Sequence, residues 1–223
     1  MSPPRESRNL VPFEVLAVLV IAIVPLPDPV PVALPLLVAG TLSRWIRGRS
    51  WAEVLRGGWS ATGEPMAADA PSWPSRLGVG ALAGGLALAF AVVAGTPAIE
   101  ALAQRAIEWS TYPIVRGNFS LFAMVAVYVA ATAIATELAL RGWLVERVLE
   151  LSPGPPILPI LVGAFAEALL TPGDVAARLG GALFGLGLGW MYVASGRSVL
   201  APIAARLVFQ LGVVFLESLR LVG

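Results

Sequence analysis

The chain has 223 residues, 57% hydrophobic and 13% charged, with a mean hydropathy of +0.82. It has no histidine, cysteine or lysine, so all 15 basic residues are arginine. This excludes disulfides, thiol catalysis and the usual tetrahedral zinc site, and it removes the commonest general base and the usual haem ligands.

With a net charge of +1, no nucleic-acid partner is implied. No cofactor or metal is expected, since only carboxylates remain to hold a hard cation. Several apolar runs are long enough to cross a bilayer. A spanning segment must satisfy its own backbone, as a helix or in a closed barrel. These runs are continuous rather than alternating, which excludes the barrel. The expected fold is all-α, a polytopic transmembrane bundle of six to eight helical segments around a polar cavity. Its first partner is the lipid bilayer.

Residues 1–10 read as a polar tail carrying Arg5 and Arg8. Residues 11–76 read as an N-terminal hairpin followed by a basic loop. The first apolar run is Val11 to Val24. It lacks the Ala-x-Ala site of a cleavable signal peptide. Five prolines between Pro25 and Pro35 break it from a second run, Val30 to Leu42. The stretch from Ser43 to Trp59 carries Arg44, Arg47, Arg49 and Arg56 with three tryptophans; this suits an interfacial amphipathic segment, but a positive cytoplasmic loop is the favoured expectation. Ser60 to Ser75 reads as a loop.

The core is expected over 77–223. Leu77 to Gly95 is a span whose Gly78, Gly80, Gly84 and Gly85 permit close helix contact. Thr96 to Gly117, with Arg105, Glu108, Trp109 and Tyr112, reads as an amphipathic helix on the far surface. Phe119 to Glu150 is one long helix ended by Ser152-Pro-Gly-Pro-Pro156. Ile157 to Leu170 is a shorter apolar segment containing Glu167. Gly181, Gly185 and Gly189 form a packing stripe on Val175 to Ala194. The last span, Val199 to Val222, carries Arg206, Gln210 and Glu217. The arginines fit a multi-pass protein of the cell membrane with a cytoplasmic N-terminus. The seven tryptophans, Trp143 among them, mostly sit where interfaces are expected and so read as membrane anchors.

Glu137 and Arg141 stand four residues apart on the long helix and so share a face. An ionisable pair inside a span is costly and marks a functional site. It reads first as an intrahelical ion pair. Thr136 is expected to bond back to its own helix, and Gln210 to bond between helices. Arg206 is a permanent cation whose candidate partners are Glu137 and Glu167.

Thr136-Glu137-x-x-x-Arg141-Gly142-x-Leu144 resembles the first signature of the CAAX protease and bacteriocin-processing (CPBP, or Abi) intramembrane proteases, Glu-Glu-x-x-x-Arg. Phe165-Ala166-Glu167-Ala168-Leu169 resembles their second, Phe-x-x-x-His. The glycine-rich helix, the Ser195–Ser198 turn and Pro202 to Gln210 resemble the region of their third, His-x-x-x-Asn/Asp. The resemblance runs from about Phe119 to Leu211. It implies Glu137 and Arg141 as catalytic positions, with Thr136, Phe165, Glu167, Leu169, Arg206 and Gln210 around the cavity. The departures are Thr136 for the first glutamate, Leu169 and Arg206 for the two histidines, and Gln210 for the Asn or Asp. Activating a water needs a base and convergent ligands, and Leu169 supplies none. The expectation is a family member without proteolytic activity, acting as a scaffold, binding or accessory subunit with other membrane protein subunits. The alternatives are an intramembrane endopeptidase with an altered site, and a small transporter or lipid-binding protein.

Overall fold

The computed structural model describes residues 11–23, 31–59, 71–103, 112–152 and 154–222. Among these the chain is helical, with no strand. The elements are α1 (Val11–Ile23), α2 (Ala33–Ile46), α3 (Trp51–Arg56), α4 (Trp73–Phe90), α5 (Phe119–Leu151), α6 (Ile157–Leu170), α7 (Val175–Ala194) and α8 (Leu200–Ser218). The protein is a helical membrane bundle. Three of its helical stretches, Trp73–Ala98, Phe119–Leu151 and Leu200–Ser218, are long and apolar enough to cross a membrane.

The observed boundaries correct the sequence reading in three places. The basic stretch contains α3, because Ser50 and Glu53 close a capping box at its start. Helix α4 begins at Trp73 with Pro74 in its first turn, where a missing N–H costs nothing. It also does not stop at Gly95. It continues through a π-helical turn, Ala91–Gly95, into Thr96–Ala103. The surface helix expected around Arg105, Glu108 and Trp109 falls outside the described residues, and Pro113–Val115 is a 3₁₀ turn.

Lipid tails are as apolar as leucine, so helices in a membrane associate through close packing rather than a hydrophobic drive. Glycine makes that packing possible. A Cβ on Gly80 or Gly84 of α4 would lie 2.2 or 2.3 Å from the Ala201 or Ala205 carbonyl oxygen of α8. The stripe on α7 does the same against α6. A Cβ on Gly185 would meet Glu167 Cβ at 2.8 Å, and one on Gly189 would meet Ile160 at 3.1 Å. Helices α1 and α2 lie against α5 and α6, with Val18, Leu36, Leu140, Trp143 and Ala166 in one buried cluster.

Trp143 is therefore core, not an anchor. It is buried, lies against Gly40 and donates Nε1 to Ser43 Oγ at 3.1 Å. Trp45, Trp73 and Trp190 are exposed.

Arg44, Arg47, Arg147 and Arg197 gather at one end of the bundle. Glu14, Ser43, Arg47, Arg147 and Glu150 form one network there, in which Arg147 bonds both Glu14 and Glu150. Glu146 accepts from Arg197 Nε at 2.7 Å and from the Tyr192 hydroxyl. Arg197 lies in the turn between α7 and α8. Burial disfavours its charged form, but the bonds and charge of Glu146 outweigh that and hold its pKa above the ordinary arginine value. Helix α3 is tied to this turn by Val199 N–H donating to Val54 C=O at 3.0 Å and Gly58 N–H donating to Gly196 C=O at 2.8 Å.

Candidate functional site

The middle of α5, Leu138–Val145, is π-helical. Such an insertion shifts the register of side chains past it and recurs at functional sites. It follows Glu137 directly and contains Arg141. Gly142, within it, leaves room for Trp51 of α3, whose ring would sit 3.0 Å from a Cβ there. The Gly142 carbonyl accepts from Arg44 Nη1 at 3.0 Å. Arg44 in turn lies over the Trp51 ring, 4.9 Å from its centroid.

At this level Glu137 and Arg141 of α5, Glu167 of α6 and Arg206 of α8 meet. Arg141 Nη1 donates to Glu137 Oε1 at 3.2 Å and to Glu167 Oε2 at 2.8 Å, and its Nη2 donates to the Gly185 carbonyl of α7 at 3.0 Å. Arg206 Nε donates to Glu137 Oε1 and its Nη2 to Glu167 Oε2, both at 2.5 Å. Its guanidinium carbon lies 5.5 Å from the centroid of the Phe184 ring of α7, within cation–π range. Three helices thus supply one cluster of two carboxylates and two guanidiniums with no net charge, and α7 adds a carbonyl and a ring. Glu137 and Arg141 are both 0% exposed.

Charges this deep are tolerable only when paired and hydrogen-bonded. The pairing is nearly complete: Glu137 Oε2 and Arg141 Nε are the two cluster atoms buried without a hydrogen-bond partner. Among the described residues no three carboxylates converge as a metal site would need. Each carboxylate instead faces two guanidiniums.

The other sequence candidates divide. Thr136 is buried beside Glu137 and donates its hydroxyl to the Thr132 carbonyl at 2.8 Å, within its own helix. Leu169 is half-buried and brings no polar atom to the cluster. Phe165 points outward and is exposed, because Glu167, two residues on, takes the inward face of α6. Gln210 is half-buried, one turn past Arg206, and makes no hydrogen bond among the described residues. Sequence reasoning missed the Gly185 carbonyl. A backbone acceptor carries no side-chain signal, although the glycine stripe marked the approach that exposes it. It also missed Arg44 as the brace of the π-helical turn.

No curated protein and no solved structure matches the chain. Residues 118–212, from the residue before α5 into α8, match the family model described as Type II CAAX prenyl endopeptidase Rce1-like. They hold all four members of the cluster, and over this stretch, a little under half of its length, the chain is similar to that family.

Proposed function

We propose that this protein is a non-proteolytic relative of the CAAX-type membrane endopeptidases, serving as a scaffold or accessory subunit of a membrane assembly. The observation that supports this reading is the occupation of both carboxylates by Arg141 and Arg206. A hydrolytic site of this kind needs a carboxylate free to take a proton from water, and a water held by convergent acceptors. Here both carboxylates are engaged by guanidiniums, which donate and never accept, so neither arginine can take a proton from a water. The arginine-rich end, with Arg44, Arg47, Arg147 and Arg197, belongs on the cytoplasmic side of the cell membrane by the excess of positive charge found there.

The test is purification from native membranes in a mild detergent, with mass measurement of the intact species. A stoichiometric complex with a second membrane protein is expected, and it should survive when the Glu137–Arg206 contact is removed in a charge-balanced way. A chain that runs alone from native membranes and turns over prenylated peptides would overturn the proposal. One observation favours the second reading, a peptidase with an altered site: Glu137 Oε2 is buried and has no hydrogen-bond partner. That reading requires turnover that disappears in Glu137→Gln.

A further inference from the structure

Five arginines are buried among the described residues: Arg44, Arg76, Arg141, Arg147 and Arg206. Four of them reach a carboxylate. Arg76, 6% exposed, reaches none. Its Nη1 donates to the Arg56 carbonyl, and its Nε is buried with no hydrogen-bond partner. A buried cation with a spare donor and no counter-charge is costly.

Arg76 lines a cavity of about 500 Å³ with Arg56, Trp73, Leu55, Pro71 and Leu200. Arg56 is exposed and has no ion-pair partner among the described residues. Two arginines therefore line one cavity whose remaining lining is mostly apolar. The cavity stands where the span Trp73–Ala98 begins, beside an exposed tryptophan of the kind that marks the headgroup level. Further along the same helix Val79, Leu82, Leu86, Phe90 and Val93 are all exposed. At spacings of three and four they form one face, which is the surface an acyl chain covers.

From this geometry we infer that the Arg56–Arg76 cavity is a binding site for the phosphate of an anionic membrane phospholipid. The phosphate supplies a counter-charge that Arg76 does not find among the described residues, Arg56 closes over it from the exposed side, and the acyl chains continue along α4. The site is separate from the Glu137 cluster and does not depend on the function proposed for it.

The test is native mass spectrometry of the full chain released from detergent, with phosphatidylglycerol and phosphatidylcholine offered at equal concentration. Both lipids offer a phosphate, but the choline cation is repelled by the two arginines, so the wild type is expected to retain phosphatidylglycerol about five- to tenfold more, the order of one unit-charge interaction of about 1 kcal/mol near a wet surface. Arg56→Gln, at an exposed position, and Leu200→Trp, which fills the cavity, should each bring the ratio close to one. Arg76→Gln should do the same if it folds. Inorganic phosphate at the lipid concentration should not displace the lipid, which separates a headgroup with its chains from free phosphate. Equal retention of the two lipids by the wild type would overturn the inference. So would an unchanged preference in both Arg56→Gln and Leu200→Trp.

Discussion

Arg206→Leu is the sharpest perturbation of the buried cluster. The substitution removes both 2.5 Å contacts, one to Glu137 and one to Glu167. It leaves two carboxylates sharing Arg141 at 3.2 and 2.8 Å, so the balanced cluster acquires one net negative charge in the bundle interior. Breaking a buried pair by removing one partner costs about 3–5 kcal/mol, because the other charge stays buried and unpaired. Replacing both partners with apolar groups of similar volume is often close to neutral. The double variant Arg206→Leu/Glu167→Leu keeps the Glu137–Arg141 pair and restores balance. It should therefore recover most of the loss and lie within about 1–2 kcal/mol of the wild type. The assay is unfolding by sodium dodecyl sulfate titration from mixed micelles, followed by circular dichroism. A double variant less stable than Arg206→Leu by the full cost of a second substitution would refute the reasoning, as would a single-variant loss below about 1 kcal/mol.

Three further outcomes follow from the packing. Gly84→Leu forces a side chain into the Ala205 backbone and should separate α4 from α8, at about 1–3 kcal/mol or more; Gly78→Leu, where a Cβ meets nothing within 4 Å, should stay within about 0.5 kcal/mol, both read by the same titration. Ser50→Ala removes the capping box of α3 and should cost about 1 kcal/mol, seen as faster hydrogen exchange confined to Trp51–Arg56. Bromine-labelled acyl chains should quench Trp73 and Trp190, which are exposed, and spare Trp143, which is buried; single-tryptophan variants measured by emission intensity distinguish the three.

The membrane class and the order of helices were legible because apolar run length and proline punctuation act locally. Phe119 to Glu150 was readable as one helix for that reason, as was the approach made possible by Gly181, Gly185 and Gly189. The convergence of Glu137, Arg141, Glu167 and Arg206 was only partly legible. The four residues could be named, and Arg206 could be assigned to one of the two carboxylates, but whether it bridges both depends on how α5, α6 and α8 cross. The π-helical turn at Leu138–Val145 left no trace in periodicity, and it sets the register of Arg141 and frees the Gly142 carbonyl for Arg44. Trp143 was misread because a tryptophan near a helix end resembles an anchor. Only its contact with Gly40 and its bond to Ser43 reveal a core role. Phe165 was misassigned because the resemblance to the second signature gave its sequence position and not its face of α6.

The most direct measurement is peptide turnover by the purified chain in liposomes, with prenylated CAAX-type and unmodified peptides, beside Glu137→Gln. With both carboxylates held by guanidiniums, the wild type should cleave neither peptide faster than the Glu137→Gln variant. Steady wild-type cleavage that vanishes in Glu137→Gln would contradict the account.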